Sequence, residues 1–207
     1  MEQRVDTHDT ERRILEAAER LFLEKGFAMT STTEIAKEAE CNQALVHYYY
    51  RTKDHLFEAI FEQKVYLFMT TFLEIDSSND SFEEKLRKKI EAHFDILHAN
   101  PKLPFLFVNE LTTNPARIQL VKEKIGYTTE AYYLRFQEEL KAEIEKGNIR
   151  PIDPVDLLLT VISLNAVLFL ISPIVKIITN ISDQQMQKLM LQRKAENVKI
   201  ILNSLRP

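Results

Sequence analysis

Three glycines in 207 residues leave this chain few ways to turn tightly, and that scarcity constrains the fold more than any other feature. Glycine is the residue that enters left-handed backbone at little cost, so β-hairpins depend on it. Gly26, Gly126 and Gly147 stand apart, without the regular spacing of turn signals that a strand-rich chain shows. Leu, Ile, Lys and Glu, which suit helices, are abundant instead. The expected fold class is all-α. Apolar residues at 45% and charged residues at 28% give enough to bury a core, unlike a disordered chain.

The single cysteine, Cys41, excludes an internal disulfide and a Cys-based zinc site. Residues 1–13 are charged and lack the apolar stretch of a signal peptide, so the expected location is cytoplasmic. Residues 157–175 carry no charge and approach the length of a membrane span. Thr160, Ser163, Asn165, Ser172 and Pro173 interrupt that run, which favours a buried helix at a subunit interface over a membrane segment.

Helix punctuation is dense along the chain. Ile14, Leu15, Ala18, Leu21 and Phe22 make one apolar stripe over Thr10–Lys25, and Gly26 ends it. Ser31 and Glu34 form a capping box before a short helix over Thr32–Ala39. Asn42 caps another short helix reaching about Tyr49, although Leu45–Tyr50 is strand-like by propensity. Thr52 caps a helix over residues 53–74. Ser81 and Glu84 suggest a second capping box for a helix to Ala99. A short helix is expected over 104–112, then one from Asn114–Pro115 to Lys146 with a bend at Gly126. Asp153–Pro154 opens the apolar helix, which Pro173 should kink or end. Ser182 opens the last, to about Leu205. About nine helices result. They divide into a helix-turn-helix domain at 1–52 and a bundle at 53–207, linked by the helix at 53–74.

Two short helices joined by a tight turn place the second in the major groove. On a helical wheel, Leu45, Val46, Tyr49 and Tyr50 share one face, and Gln43, Ala44, His47 and Tyr48 the other. The first face can pack. On the second, Gln43 can pair bidentately with an adenine edge and Ala44 can touch a thymine methyl. His47 and the tyrosine hydroxyls can donate to phosphates. Residues 1–55 are slightly acidic, with eight Lys or Arg against eleven Asp or Glu, so DNA affinity requires a local patch. The stretch from Cys41 to Lys53 supplies it, with Arg51 and Lys53 and no acid.

Ile14-Leu15-Glu16-Ala17-Ala18, Leu21-Phe22, Gly26-Phe27, Thr32-Thr33, Ile35–Ala39 and Leu45–Tyr50 closing on Lys53 and Leu56-Phe57 resemble the TetR-family DNA-binding domain. The resemblance implies a homodimer that reads a pseudo-palindromic DNA operator and a bundle that binds a small-molecule inducer. By position, it implies DNA contacts at Thr32, Cys41, Asn42, Gln43, Ala44, His47, Tyr48, Tyr49 and Lys53. Glu40 stands where that family often has glycine, and Cys41 where it often has valine. Gln43-Ala44 replaces a frequent Lys-Gly pair, and His47 a frequent tyrosine.

Beyond residue 60 the resemblance fades. The helices at about 154–178 and 182–205 are the expected dimer interface, the latter through Met186, Leu189, Met190, Val198, Ile201 and Leu205. His93, Phe105, Asn109, Tyr132, Tyr133, Asn165 and Phe169 are the candidates for lining a ligand pocket, with plain core packing as the competing role. Glu91, Asp95 and His98 share a helix face off the apolar stripe, which fits a solvated surface better than a metal site. No cofactor is expected. No catalytic constellation is recognisable: the nearest pair, Cys41 and His47, lies in the reading segment. The leading reading is a ligand-released repressor, the alternatives an activator, a constitutive DNA binder or a membrane-anchored adaptor.

Overall fold

A computed structural model describes residues 7–207, apart from the side chains of Thr7, Leu120 and Lys124. The start of the expected first domain, residues 1–6, lies outside the described residues. Among those described, nine α-helices and no strand occur: α1 (Thr7–Lys25), α2 (Thr32–Glu38), α3 (Gln43–Tyr50), α4 (Lys53–Asp76), α5 (Phe82–Ala99), α6 (Leu103–Thr113), α7 (Pro115–Glu145), α8 (Pro154–Thr179) and α9 (Asp183–Ser204). The chain is all-α, as its glycine content implies.

By packing, the chain forms two units. One runs to Tyr66 and takes in Phe105–Ile125; the other comprises Leu67–Pro104 and Gly126–Pro207. Packing therefore divides the chain within α4, in the first turn of α6 and within α7, at places other than the functional boundary expected at residue 52. Gly126 introduces no break in α7.

In the first unit, α2 and α3 are too short to persist on propensity alone. Burial fixes them: Ile35, Ala36, Ala39 and Val46 join Ile14, Ala18, Phe22, Leu56, Phe57 and Ile60 in one core. Each such large side chain contributes about 1.5–3 kcal/mol when fully buried. Val46 and the Asn42 cap override the strand propensity of Leu45–Tyr50. The Asn42 side chain accepts from the Leu45 N–H at 2.9 Å.

In the second unit, α5, α8 and α9 pack pairwise. Leu86, Ile90, Leu157, Val198, Ile201 and Leu205 form one core; Phe94, Leu97, Phe169, Met186 and Met190 form another. The α9 stripe expected to meet a second copy is thus turned into its own chain, because α5 and α8 offer it matching apolar faces. At Ser81, only the Ser81-to-Glu84 half of the expected capping box forms. At Pro173, expected to kink or end the helix, α8 does not end but continues to Thr179. Proline lacks the N–H that the Phe169 carbonyl would accept, and the Ser172 hydroxyl donates there instead at 3.4 Å.

Asn165 is fully buried at the centre of this unit. Its Nδ2 donates to the Ile90 carbonyl at 2.9 Å and lies 3.1 Å from His93 Nδ1, while its Oδ1 accepts from Asn197 at 3.0 Å. Burial holds the His93 ring down to about 4 from an ordinary 6.5, so the fold accommodates the neutral form. The unfolded chain takes up the proton first as pH falls, so this stability is full above pH 6.5 and is lost toward pH 4. The expected loss across that window is roughly 3 kcal/mol. Urea denaturation at several pH values, with His93→Gln removing most of the slope, checks it; equal pH dependence in both proteins would refute it.

Candidate nucleic-acid interface and ligand cavity

The reading face is built from three local devices. First, the Ser31–Glu34 capping box opens α2, with Ser31 N–H donating to Glu34 at 2.9 Å and Glu34 N–H to Ser31 Oγ at 3.2 Å. Second, Lys53 closes the turn before α2 by donating to the carbonyls of Phe27 and Thr30 at 2.8 and 2.9 Å, with its ammonium 4.3 Å from the Phe27 ring. Third, Glu40 takes the left-handed conformation, φ +53°, and lets the chain reverse between α2 and α3. The resembled family's glycine at this position has its physical reason in that angle.

The wheel assignment is reproduced by the packing. Val46 is buried, Leu45, Tyr49 and Tyr50 pack partly buried on the core, and Gln43, Ala44, His47 and Tyr48 face solvent. Tyr48 is 76% exposed. Tyr50 anchors the helix by donating to the Glu11 carbonyl at 3.5 Å, and burial pushes its phenol up to about 12. On the outer face, Gln43 donates to Thr32 Oγ1 at 3.0 Å, and His47 Nδ1 lies 3.0 Å from the Arg51 carbonyl.

The remaining DNA candidates are placed less simply. Asn42 is exposed but spends its side chain as the cap. Cys41 is half-buried on the core, its thiol pushed up by burial and its N–H donating to Ala36 at 2.9 Å. Tyr49 is turned toward the core, with its ring 5.1 Å from that of Tyr48. Lys53 has two of its three donors engaged by carbonyls, leaving one for a phosphate.

Of the ligand candidates, Tyr132 and Tyr133 come together. They line a cavity of about 240 Å³ in the second unit with Met69, Phe72, Lys89, Phe136 and Leu157. Lys89 is the one charged group among the residues lining it, and it pairs with Asp76 while lying 5.4 Å from the Tyr132 ring. Burial, and then the neighbouring Asp76 carboxylate, push the Tyr132 phenol well above its ordinary value. His93 and Asn165 belong instead to the buried polar network, and Phe169 to the core of Phe94 and Met186. Phe105 and Asn109 are exposed in the first unit and do not line the cavity. Asp95 pairs with Lys194 at 2.7 Å.

Met69, Phe72, Lys89 and Phe136 escaped the sequence reading. Lys89 carried a signal, since it sits three residues after Leu86 on a stripe otherwise apolar. Arg117, buried at 3% exposure between Asp54 and Glu110 and over the Phe27 and Phe57 rings, escaped the sequence reading too.

A recognition helix displayed by a capped, tightly turned partner defines a helix-turn-helix protein. Residues 14–60 match the family described as bacterial regulatory proteins, tetR family. The likeness to that family rests on this N-terminal stretch. An HTH-type transcriptional regulator of Bacillus subtilis strain 168, YttP, is 34% identical over 124 residues, covering 56% of this chain and 59% of that protein. This chain therefore matches about three-fifths of that relative's length. The fatty acid metabolism regulator protein of the same organism is 24% identical over 137 residues, covering 66% and 69%. Among solved structures, FadR from Bacillus subtilis in complex with stearoyl-CoA superposes with TM-score 0.70 at 18% identity, covering 94% and 99% of the two chains. That likeness concerns the fold.

Left-handed backbone costs a side-chain-bearing residue roughly 1–2 kcal/mol, partly offset by the greater freedom of glycine when unfolded. Glu40→Gly is therefore expected to raise stability by about 0.5–1 kcal/mol in thermal and urea melts. An unchanged or lowered melting temperature would contradict the strain at this turn.

Proposed function

We propose that this chain is a DNA-binding transcriptional repressor, a homodimer that leaves a pseudo-palindromic operator when a small apolar molecule occupies the cavity of its second unit. The observation that carries the reading is the outer face of α3. Gln43, Ala44, His47 and Tyr48 are all solvent-facing while the opposite face is packed, the division a groove-reading helix requires. Backbone N–H groups at the helix starts, Arg51 and the free donor of Lys53 supply phosphate contacts. Functionally, residues 1–52 read DNA and 53–207 bind ligand and dimerise. α4 and α7 contribute to both packed units and are the routes by which ligand occupancy reaches α3.

The dimer surface is the outer side of α8, with α9 beside it. Val155, Leu159, Ile162, Val167, Ile171, Ile174 and Ile177 are exposed there. A second copy removes that apolar surface from water. By length and hydropathy α8 is long and apolar enough to cross a membrane. Its inner side, however, carries the buried Asn165 bonded to α5 and α9, which favours a bundle helix in a soluble, cytoplasmic protein. Homology to regulators favours a binding protein over an enzyme.

The cavity supports a ligand-responsive regulator over a constitutive binder, whose bundle needs no internal space. Its walls are aliphatic and aromatic, and its one cation is neutralised by Asp76. Such a wall favours an uncharged apolar body. The FadR structure with stearoyl-CoA makes acyl chains the first class to try.

Mobility shifts on DNA from the gene's own upstream region test the reading. Wild type is expected to give a specific shift, His47→Ala with Tyr48→Ala none, and stearoyl-CoA to release the complex. Val161→Phe, at the cavity wall, is expected to weaken that release about tenfold, the scale of one misplaced contact in a hydrophobic pocket. Operator binding insensitive to the α3 double variant would defeat the DNA reading, and release unaffected by Val161→Phe would remove the cavity from it.

A further inference from the structure

The outer face of α3 has an internal hydrogen-bond order set from its C-terminal end. Arg51 takes φ +56°, and its carbonyl lies 3.0 Å from His47 Nδ1. A carbonyl oxygen only accepts, so Nδ1 carries the ring proton and Nε2 of the neutral ring is an acceptor. Gln43 Nε2 lies 3.5 Å from that acceptor and donates to Thr32 Oγ1 at 3.0 Å. Reversing the amide would set Oε1 against the Nε2 lone pair, so the ring decides which way the amide points. Both amino hydrogens of Gln43 are then directed at protein atoms. Its Oε1 is the group left for a ligand.

We propose that Gln43 reads the major groove as an acceptor only, selecting a base that offers an amino group, adenine or cytosine, at one position of each half-site. This deepens the DNA-binding reading above and rests on it. A free glutamine pairs bidentately with adenine, accepting from N6 and donating to N7. The locked Gln43 cannot make the second bond without leaving Thr32 and His47. Cytosine N4 satisfies Oε1 as well as adenine N6 does. Guanine shows O6 and N7 there, and thymine O4, which set lone pair against lone pair. The exposed, small Ala44 beside Gln43 leaves room for the approach. Thr32 and His47 are positioning residues that act through Gln43.

Selection of binding sites from a random duplex pool by the full-length protein, followed by titration of single-base variants, tests this. Wild type is expected to accept A and C at one half-site position within about threefold of each other, with G and T weaker by about tenfold or more. Gln43→Ala should level all four bases there. Thr32→Val should raise adenine over cytosine by about fivefold, as the released Nε2–H reaches N7. A merely structural Thr32 would instead weaken all four bases alike. Wild type with adenine far above cytosine, or with G or T preferred at the Gln43-sensitive position, overturns the proposal while leaving the DNA reading intact. A folded protein that enriches no sequence overturns both.

Discussion

A buried guanidinium organises the first packed unit of this protein. Arg117 is almost wholly removed from water, and a desolvated charge persists only with a complete set of partners. Asp54 on α4, Glu110 on α6 and the rings of Phe27 and Phe57 supply that set. Losing Glu110, the buried carboxylate of the set, would cost about 3–5 kcal/mol, the scale of a broken buried pair. The segments that provide them therefore stay together, which is why Phe105–Ile125 packs with the first unit. Phe27 is shared between Arg117 and Lys53, and Lys53 in turn fixes the carbonyls preceding the Ser31 cap. The placement of α2 and α3 thus passes through a cation 67 residues beyond the end of α3 at Tyr50.

Helix existence and boundaries were legible because the signals are local. Gly26, the Ser31–Glu34 box, Asn42 and Asp153–Pro154 each act through their own or adjacent backbone groups, and all four operate as the residue types dictate. The two faces of α3 were legible for the same reason, since a wheel needs only the helix and its neighbouring core. Pro173 does not end α8, and the Ser172 hydroxyl one residue away donates to the carbonyl it orphans.

Long-range pairing was not legible. Nothing adjacent to Asn165 announces that its partners come from α5 and α9, or that His93 is spent on it rather than on a ligand. The α9 stripe shows an apolar face but not which surface covers it, and the answer is its own chain. Pocket lining was half readable: the aromatic pair Tyr132 and Tyr133 sits on a single helix turn, whereas Met69, Phe72 and Lys89 join it only through the packing of α4, α5 and α7. Phe105 and Asn109 were drawn in by residue type alone and lie in the other packed unit.

The Asn165 network also sets the mechanical character of the second unit. Its bonds run from the middle of α8 to a main-chain carbonyl of α5 and to a side chain of α9, among largely apolar neighbours. Leucine and isoleucine contacts tolerate slippage along a helix axis, because one methyl group is much like the next. An amide pinned at three points does not: a shift of one residue, about 1.5 Å, would break all its bonds in an environment with no water to replace them. The network acts as a locating pin. It opposes axial sliding of α8 against α5 and α9.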